Sequence, residues 1–392
     1  MNVKILRIKA SGYKRLIDNF EIEFLTKARV NEKDLEDEVI ELDKKLYYPS
    51  AIAITGKNSS GKTTILKLIA MCYEILNTGR IEYQETMFSK DKILLDIWFI
   101  QKSIIYHYYT EVNKPSIILF NKSSNCILKN EKLYVRNYSY KYAKKILDEE
   151  YVEMSIQSKM EDTSILYDIT RDNYLFGSLF DFSKNNYLKL FIDSFDIISP
   201  NVKKYLIQLY DDSIEKIENT DQENYYIVKR INEEEKRVNF DYLLSTLSDG
   251  TIRGFILFTF SIITLKLGKV LIIDEIENSF HKNLIENLII IFSDKRINKK
   301  HASLIFSTHY VEILDIFRRS DNVYVCDKEN GFVTCKNIYE DFDNETRNLK
   351  SNLYNKNAFN TNLNYEMLMN LKRELINEVS DNDWRSEWTS FT

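Results

Sequence analysis

The order of apolar and polar positions divides the chain into segments of different period. Residues 3–8 and 20–24 alternate apolar and polar side chains, the pattern of half-buried strands. A turn lies between them, with Lys14 and Arg15 adjacent. Residues 27–46 are densely charged and are expected to form a surface excursion. Residues 51–54 are continuously apolar, as in a strand covered on both faces. Helical spacing follows, to about Leu76. Residues 93–99, 103–110, 116–120 and 133–136 are short runs rich in β-branched and aromatic residues and predict an antiparallel meander.

Residues 138–147, 187–198 and 202–217 carry apolar positions at helical spacing, and 225–228 with 238–240 reads as a returning hairpin. The stretch 137–240 is therefore expected to be a mostly helical insertion. It has no sustained heptads, which excludes a long coiled-coil arm. After residue 241 the pattern predicts helices at 255–265, 284–291 and 311–317, and buried strands at 270–273 and 303–306. A hairpin at 323–325 and 331–333 closes the series. In the polar tail, Leu363, Met367, Leu371, Leu375 and Val379 recur every four residues, a stripe that fits core packing first and a partner site second. These changes of pattern divide the chain into 1–136, 137–240, 241–340 and 341–392.

Composition narrows the class. Of 392 residues, 44% are hydrophobic and 29% charged, as in a globular protein. The net charge of −5 provides no general attraction to nucleic acid or acidic membranes, so any DNA contact needs a local basic patch. Cys72, Cys126, Cys326 and Cys335 form no C-x-x-C pair, so neither a zinc site nor a redox motif is indicated. No signal peptide and no charge-free apolar span are visible, which predicts a cytoplasmic chain without a membrane segment.

The chemistry begins at Gly56-Lys57-Asn58-Ser59-Ser60-Gly61-Lys62-Thr63, which fits G-x-x-x-x-G-K-[ST]. It stands between a predicted strand and a predicted helix, the order a phosphate-binding loop requires. Its glycines allow backbone N–H groups to turn onto phosphates at a helix N-terminus. The expected nucleotide ligands are Gly56, Asn58, Ser59, Ser60, Gly61, Lys62, Thr63 and Thr64. Lys62 would reach the β- and γ-phosphates, and Thr63 would hold Mg²⁺. Four apolar residues then end in Asp274-Glu275. Such a strand delivers Asp274 to the metal side of the loop and leaves Glu275 to orient or deprotonate water. Leu247-Ser248-Asp249-Gly250 opens an apolar helix. Ser248 and Gly250 fit an anion site there, and Ser248 or Asp249 equally fits an ordinary N-cap. Ile305-Phe306-Ser307-Thr308-His309 is a buried strand whose carboxyl end would present His309 to a γ-phosphate.

Taken in order, phosphate loop, Leu-Ser-x-Gly, acidic strand end with Glu275, and His309 resemble the ABC-class ATPases over about residues 1–340. That resemblance implies an α/β fold: an ABC-type head with a phosphate-loop central sheet, an antiparallel β subdomain and the helical insertion. Asp274-Glu275-Ile276-Glu277-Asn278-Ser279-Phe280-His281, with Thr251 and Arg253, resembles the bacterial OLD-like and AAA-type ATPases. Members of that group recur in anti-phage systems such as Gabija, Septu, PARIS and abortive-infection operons. The resemblance implies ATP and Mg²⁺, catalytic roles for Lys62, Glu275 and His309, and a metal role for Thr63 and Asp274. It also implies ATP held between two copies, with Ser248 and Gly250 of one closing the other's site.

The chain departs from its resemblance in three places. The tail lacks the acidic strand pattern of a Toprim nuclease, so no nuclease activity is expected here. The glutamine that such sites use has two candidates, Gln84 and Gln101. Asn278 stands where an aspartate is usual. Three functions compete at this level. One is an ATP-driven sensor or scaffold of a defence system, acting on a separate nuclease- or toxin-like effector and responding to DNA or a phage component. The others are a DNA-repair ATPase of the RecF or chromosome-maintenance kind and a binding module whose ATP only holds a dimer.

Overall fold

The computed structural model describes residues 3–116, 124–138, 146–148, 151–155, 163–170, 179–180, 199–222, 225–278, 282–342, 350 and 369–374. Two six-stranded sheets organise them. The first is antiparallel, ordered β2-β1-β6-β7-β8-β9, from β1 (Lys4–Ser11), β2 (Phe20–Glu23), β6 (Lys92–Gln101), β7 (Ile104–Asn113), β8 (Ile127–Asn137) and β9 (Val152–Met154). The second is ordered β10-β14-β15-β5-β16-β17. Its members are β5 (Ala51–Thr55), β10 (Leu179–Phe180), β14 (Val270–Ile273), β15 (Ser303–Ser307), β16 (Val323–Glu329) and β17 (Phe332–Asn337). Every neighbouring pair in it is parallel except the β16–β17 hairpin.

The parallel strands are apolar throughout because both of their faces are covered. Alternation sorts them into two cores. Ile52 and Ile54 of β5, Ile272 of β14, Ile305 of β15 and Tyr324 of β16 share one core with the antiparallel sheet and α2 (Lys62–Thr78). Ala51, Ala53, Leu271, Ile273, Leu304, Phe306, Val323 and Val325 join the other, with α4 (Asp249–Leu267) and α5 (Lys282–Ser293). The helix α2 is thus sandwiched between sheets, which explains its many buried residues. Gly79 ends it in the left-handed conformation, its N–H returning to Ile75 O.

Among the described residues, one helix is long and apolar enough to cross a bilayer, 250–267 within α4. It is a core helix: 67% of that window is buried in the fold.

Several expectations are corrected. Residues 27–46 do not form a mere excursion. They build α1 (Glu32–Asp37), capped by Asn31, and most of a small hairpin of β3 (Val39–Asp43) with β4 (Leu46–Pro49). Buried Asp34 explains why this charged stretch is anchored. Arg319 donates to Asp34 Oδ2 at 2.7 Å and to Asp321 Oδ2 at 2.6 Å, so the charge is paired rather than solvated. The helix expected over 202–217 stops as α3 (Pro200–Tyr210). Residues 214–217 instead belong to β11 (Ile214–Asn219), which pairs with β12 (Tyr225–Arg230) and β13 (Lys236–Asn239) in a three-stranded sheet. Buried Ile214 and Ile217 face the second core, and the strand is set by that pairing rather than by local period. The segment at 311–316 is a 3₁₀ turn. Leu371, expected on a core stripe, is exposed. Residues 187–198, most of 138–147, the strand expected at 116–120 and the rest of the tail stripe lie outside the described residues.

Candidate active site

Parallel register brings the carboxyl ends of three strands to one edge. Ile54 of β5 pairs with Ser307 of β15, and Phe306 with Ile273 of β14. The residues that follow each strand therefore emerge side by side: Gly56 onward, Asp274-Glu275, and Thr308-His309. This convergence was expected from the motifs; the intervening position of β15 was not.

The loop after β5 turns through Gly56 at φ +148°, Ser59 at +63° and Gly61 at +106°. Its glycines are required by what surrounds them. A Cβ on Gly56 would lie 2.4 Å from the carbonyl oxygen of Cys326, and one on Gly61 would lie 2.4 Å from Val333 Cγ2. The β16–β17 hairpin is thus the wall of the loop, a role invisible in its sequence. Lys57 adds an ion pair to Asp327 at 3.1 Å. The hairpin is itself held by the β1–β2 turn, where Val333 N–H donates to Arg15 O at 2.7 Å.

Lys62 is buried at the start of α2. Its ammonium donates to Gly56 O at 2.9 Å and Lys57 O at 3.1 Å, and lies 3.4 Å from His309 Nδ1. Burial lowers its pKa, while Cys326, Glu277, Glu275 and Asp274 pull it back up. The buried hydroxyl of Ser60 has no hydrogen-bond partner. An orphaned buried hydroxyl, a loop turned by three positive-φ residues and a lysine turned onto loop carbonyls together fit a phosphate chain. Asn58 and Ser59 are exposed at the tip of the loop, and Thr63 and Thr64 are half-buried in the first turn of α2.

Ser307 organises the acidic side. Its hydroxyl donates to Asp274 Oδ1 at 2.6 Å and accepts the Glu275 N–H at 2.7 Å. Glu275 adopts φ +48°, an uncommon conformation for a side chain of its size. Its carboxylate is held from the other end, where Asn278 Nδ2 donates to Oε2 at 2.6 Å. Asn278 thus supports Glu275. Glu277 accepts the His309 N–H on Oε1 at 2.6 Å, while its Oε2 is buried without a hydrogen bond. The His309 imidazole is held below its ordinary pKa first by burial and then by Lys62, against the pull of Glu277, Glu275 and Asp274. It is therefore neutral at pH 7. Sequence reading missed Ser307 and Glu277 as contributors, although both lie inside the quoted motifs. Only the strand order shows that Ser307 stands between the acids and the loop.

Ser248 and Gly250 are not brought into this cluster by any described contact. Ser248 is the N-cap of α4, its hydroxyl accepting the Thr251 N–H at 3.0 Å, and both residues are exposed. Both readings of this segment therefore survive: the capping role is observed, and Gly250 keeps an open surface. Arg253 ties α4 to the acidic loop by donating to Asn278 O at 3.3 Å. Of the two glutamines, Gln101 sits at the wrong end. Its neighbour Ile100 pairs with Lys4, which bonds Ser303 at the amino end of β15. Gln84 precedes a 3₁₀ turn whose Thr86, with Lys14, Arg15, Phe88 and Lys328, lines a cleft of about 420 Å³ that includes Ser59, Gly61 and Thr64.

Residues 51–315 match the family described as "AAA domain, putative AbiEii toxin, Type IV TA system". The chain belongs to this family. It is an AAA-type P-loop ATPase, with a mixed α/β fold built on a central sheet. Among solved structures, the AAA-domain chain is similar to the SMC head domain from Thermotoga maritima. That match has 13% identity and a TM-score of 0.43, over 85% of this chain and 98% of that one. It is also similar to an SMC head bound to the C-terminal winged-helix domain of ScpA, with 11% identity and a TM-score of 0.46, over 85% and 96%. No curated protein matches the chain by sequence.

Proposed function

We propose that the chain binds and hydrolyses ATP between two copies of itself and uses that cycle to control a separate effector in defence against phage. The observation that carries the ATPase reading is the meeting at one sheet edge of Lys62 with His309, and of Asp274 with Glu275 through Ser307. The backbone N–H groups of 56–64 would cradle the phosphates, and Lys62 would leave its carbonyl partners for the β- and γ-oxygens. Thr63 and Asp274 offer the hard oxygen donors that suit Mg²⁺, which neutralises charge between those phosphates. Glu275, fixed at both ends by Ser307 and Asn278, is the base or orienter for water. Neutral His309 has a ring nitrogen free to accept or donate near the γ-phosphate. The cleft beside Ser59 and Thr64 offers Phe88 and Arg15 to the base and ribose.

Ser248 and Gly250 stand exposed and away from this cluster, as a surface meant for a second copy's γ-phosphate would. Their N-terminal helix position suits that charge. The family's description names a type IV toxin–antitoxin system, which supports a role in defence. On this reading, the chain works in the cytoplasm.

The test compares two variants of the full chain. Lys62→Ala is expected to lose ATP binding. Glu275→Gln is expected to bind ATP, hydrolyse it at least about a hundredfold more slowly, and accumulate as a dimer on sizing with light scattering. Wild-type turnover in Lys62→Ala refutes the site. A Glu275→Gln chain that binds ATP yet stays monomeric refutes the two-copy arrangement. ATP-dependent, salt-sensitive DNA binding by the chain alone would shift the function to DNA maintenance.

A further inference from the structure

The hairpin that walls the phosphate loop carries two thiols that ATP chemistry does not use. Cys326 and Cys335 hold opposed positions of the antiparallel β16–β17 pair, with sulfurs 3.6 Å apart. Both are free thiols; Cys326 is fully buried and Cys335 is half-buried. Opposed residues on such strands have Cα atoms about 4.5–5.5 Å apart, within the span of a disulfide. Bond formation must close the sulfurs from 3.6 Å to about 2.05 Å, which draws on the separation and twist of the two strands. Separation in sequence hid this pair, and the register of the hairpin creates it.

The same hairpin touches the loop at two points. The Cys326 carbonyl presses on Gly56, and Val333, two residues before Cys335 and so on its face of β17, presses on Gly61. Neither contact has slack, since a single added Cβ would overlap the wall at 2.4 Å. A cross-link that changes the separation or twist of β16 and β17 therefore acts directly on the two glycines of the loop.

We infer that Cys326 and Cys335 form an oxidation site whose disulfide distorts the phosphate loop and lowers its affinity for nucleotide. The inference rests on reading residues 56–63 as the nucleotide site. The oxidant class is a small disulfide, for which oxidised glutathione serves as probe. The Cys335 thiol, the more accessible, loses its proton to solvent and attacks one glutathione sulfur, forming a mixed disulfide and expelling one thiolate. Cys326 then attacks Cys335 Sγ and expels the second, its thiol proton passing to the departing glutathione thiolate. Two protein thiols are oxidised to one disulfide, and one small disulfide is reduced to two thiols. The sulfur contact with Cys326, and then burial, hold the Cys335 thiol above its ordinary range, so the first step is faster in alkaline buffer.

The full chain is incubated with oxidised glutathione, or kept reduced, and then digested without reductant for peptide mapping. Affinity for a fluorescent ATP analogue is measured in parallel. The expected result is a cross-linked Cys326–Cys335 peptide and about tenfold weaker binding, the scale of one phosphate hydrogen bond, reversed by dithiothreitol. Cys335→Ser is expected to keep the reduced affinity in oxidant, and Cys326→Ala to stop at the Cys335–glutathione mixed disulfide in the peptide map. Absence of the cross-linked peptide overturns the proposal, and so does a mapped cross-link with unchanged affinity. Failure of the reduced protein to bind nucleotide at all instead overturns the nucleotide reading on which the proposal rests.

Discussion

Replacing Gly61 by alanine tests the loop and its wall together. Gly61 has φ +106°, a conformation that costs an alanine about 1–3 kcal/mol. The new methyl would also lie 2.4 Å and 2.5 Å from the two Cγ atoms of Val333. Val333 is buried and stiff at χ1, so the hairpin must move, at about 1–3 kcal/mol. The sum, about 2–6 kcal/mol, is a large fraction of the 5–15 kcal/mol that typically stabilises a domain. Urea unfolding of Gly61→Ala, Val333→Ala and the double variant measures it. Val333→Ala removes the overlap but not the backbone strain. The cycle should therefore show a favourable coupling of about 1–2 kcal/mol, leaving the remainder of the Gly61→Ala loss in place. Nucleotide affinity should fall in Gly61→Ala and return only partly in the double variant. A Gly61→Ala chain as stable as wild type, or a cycle with no coupling, would refute the description of the hairpin as the wall.

Two further outcomes follow from buried charges. Lys4 sits in the core, its ammonium donating to Ser303 Oγ at 2.9 Å and Lys269 O at 3.5 Å and lying over the Tyr48 ring, and burial, then Lys269, push its pKa down to about 7. The unfolded chain keeps that proton up to about pH 10. Between these limits the unfolded state binds more protons, so stability rises with pH. From pH 7 to pH 9, wild type should gain about 2–3 kcal/mol relative to Lys4→Met in urea titrations, and parallel profiles would refute it. Glu277→Gln keeps an acceptor for the His309 N–H but removes the negative charge that raises the His309 pKa. Its imidazole should titrate still lower by NMR, with altered ATP turnover; an unmoved His309 resonance would place the carboxylate's influence elsewhere.

The sequence by itself located the motif residues that the fold gathers at one sheet edge, and most of the strands. Gly56–Thr63, Asp274-Glu275 and His309 are legible because each depends on a local pattern: a glycine spacing, or an apolar run ending in polar residues. The period-two and all-apolar strands are legible for the same reason, since exposure of each face is written in consecutive residues. Local pattern misled where partners came from afar. Residues 214–217 read as helix and became strand because β12 pairs with them, and the charged stretch after Thr26 read as solvated although Arg319 draws Asp34 inside. Tertiary structure alone decided that β15 lies between β14 and β5, so that Ser307 joins both acids. It alone placed Val333 and Cys326 against the loop glycines, and two distant cysteines side by side. Strand order and register are set by which apolar faces cover one another across the whole core, and that quantity has no period along the chain.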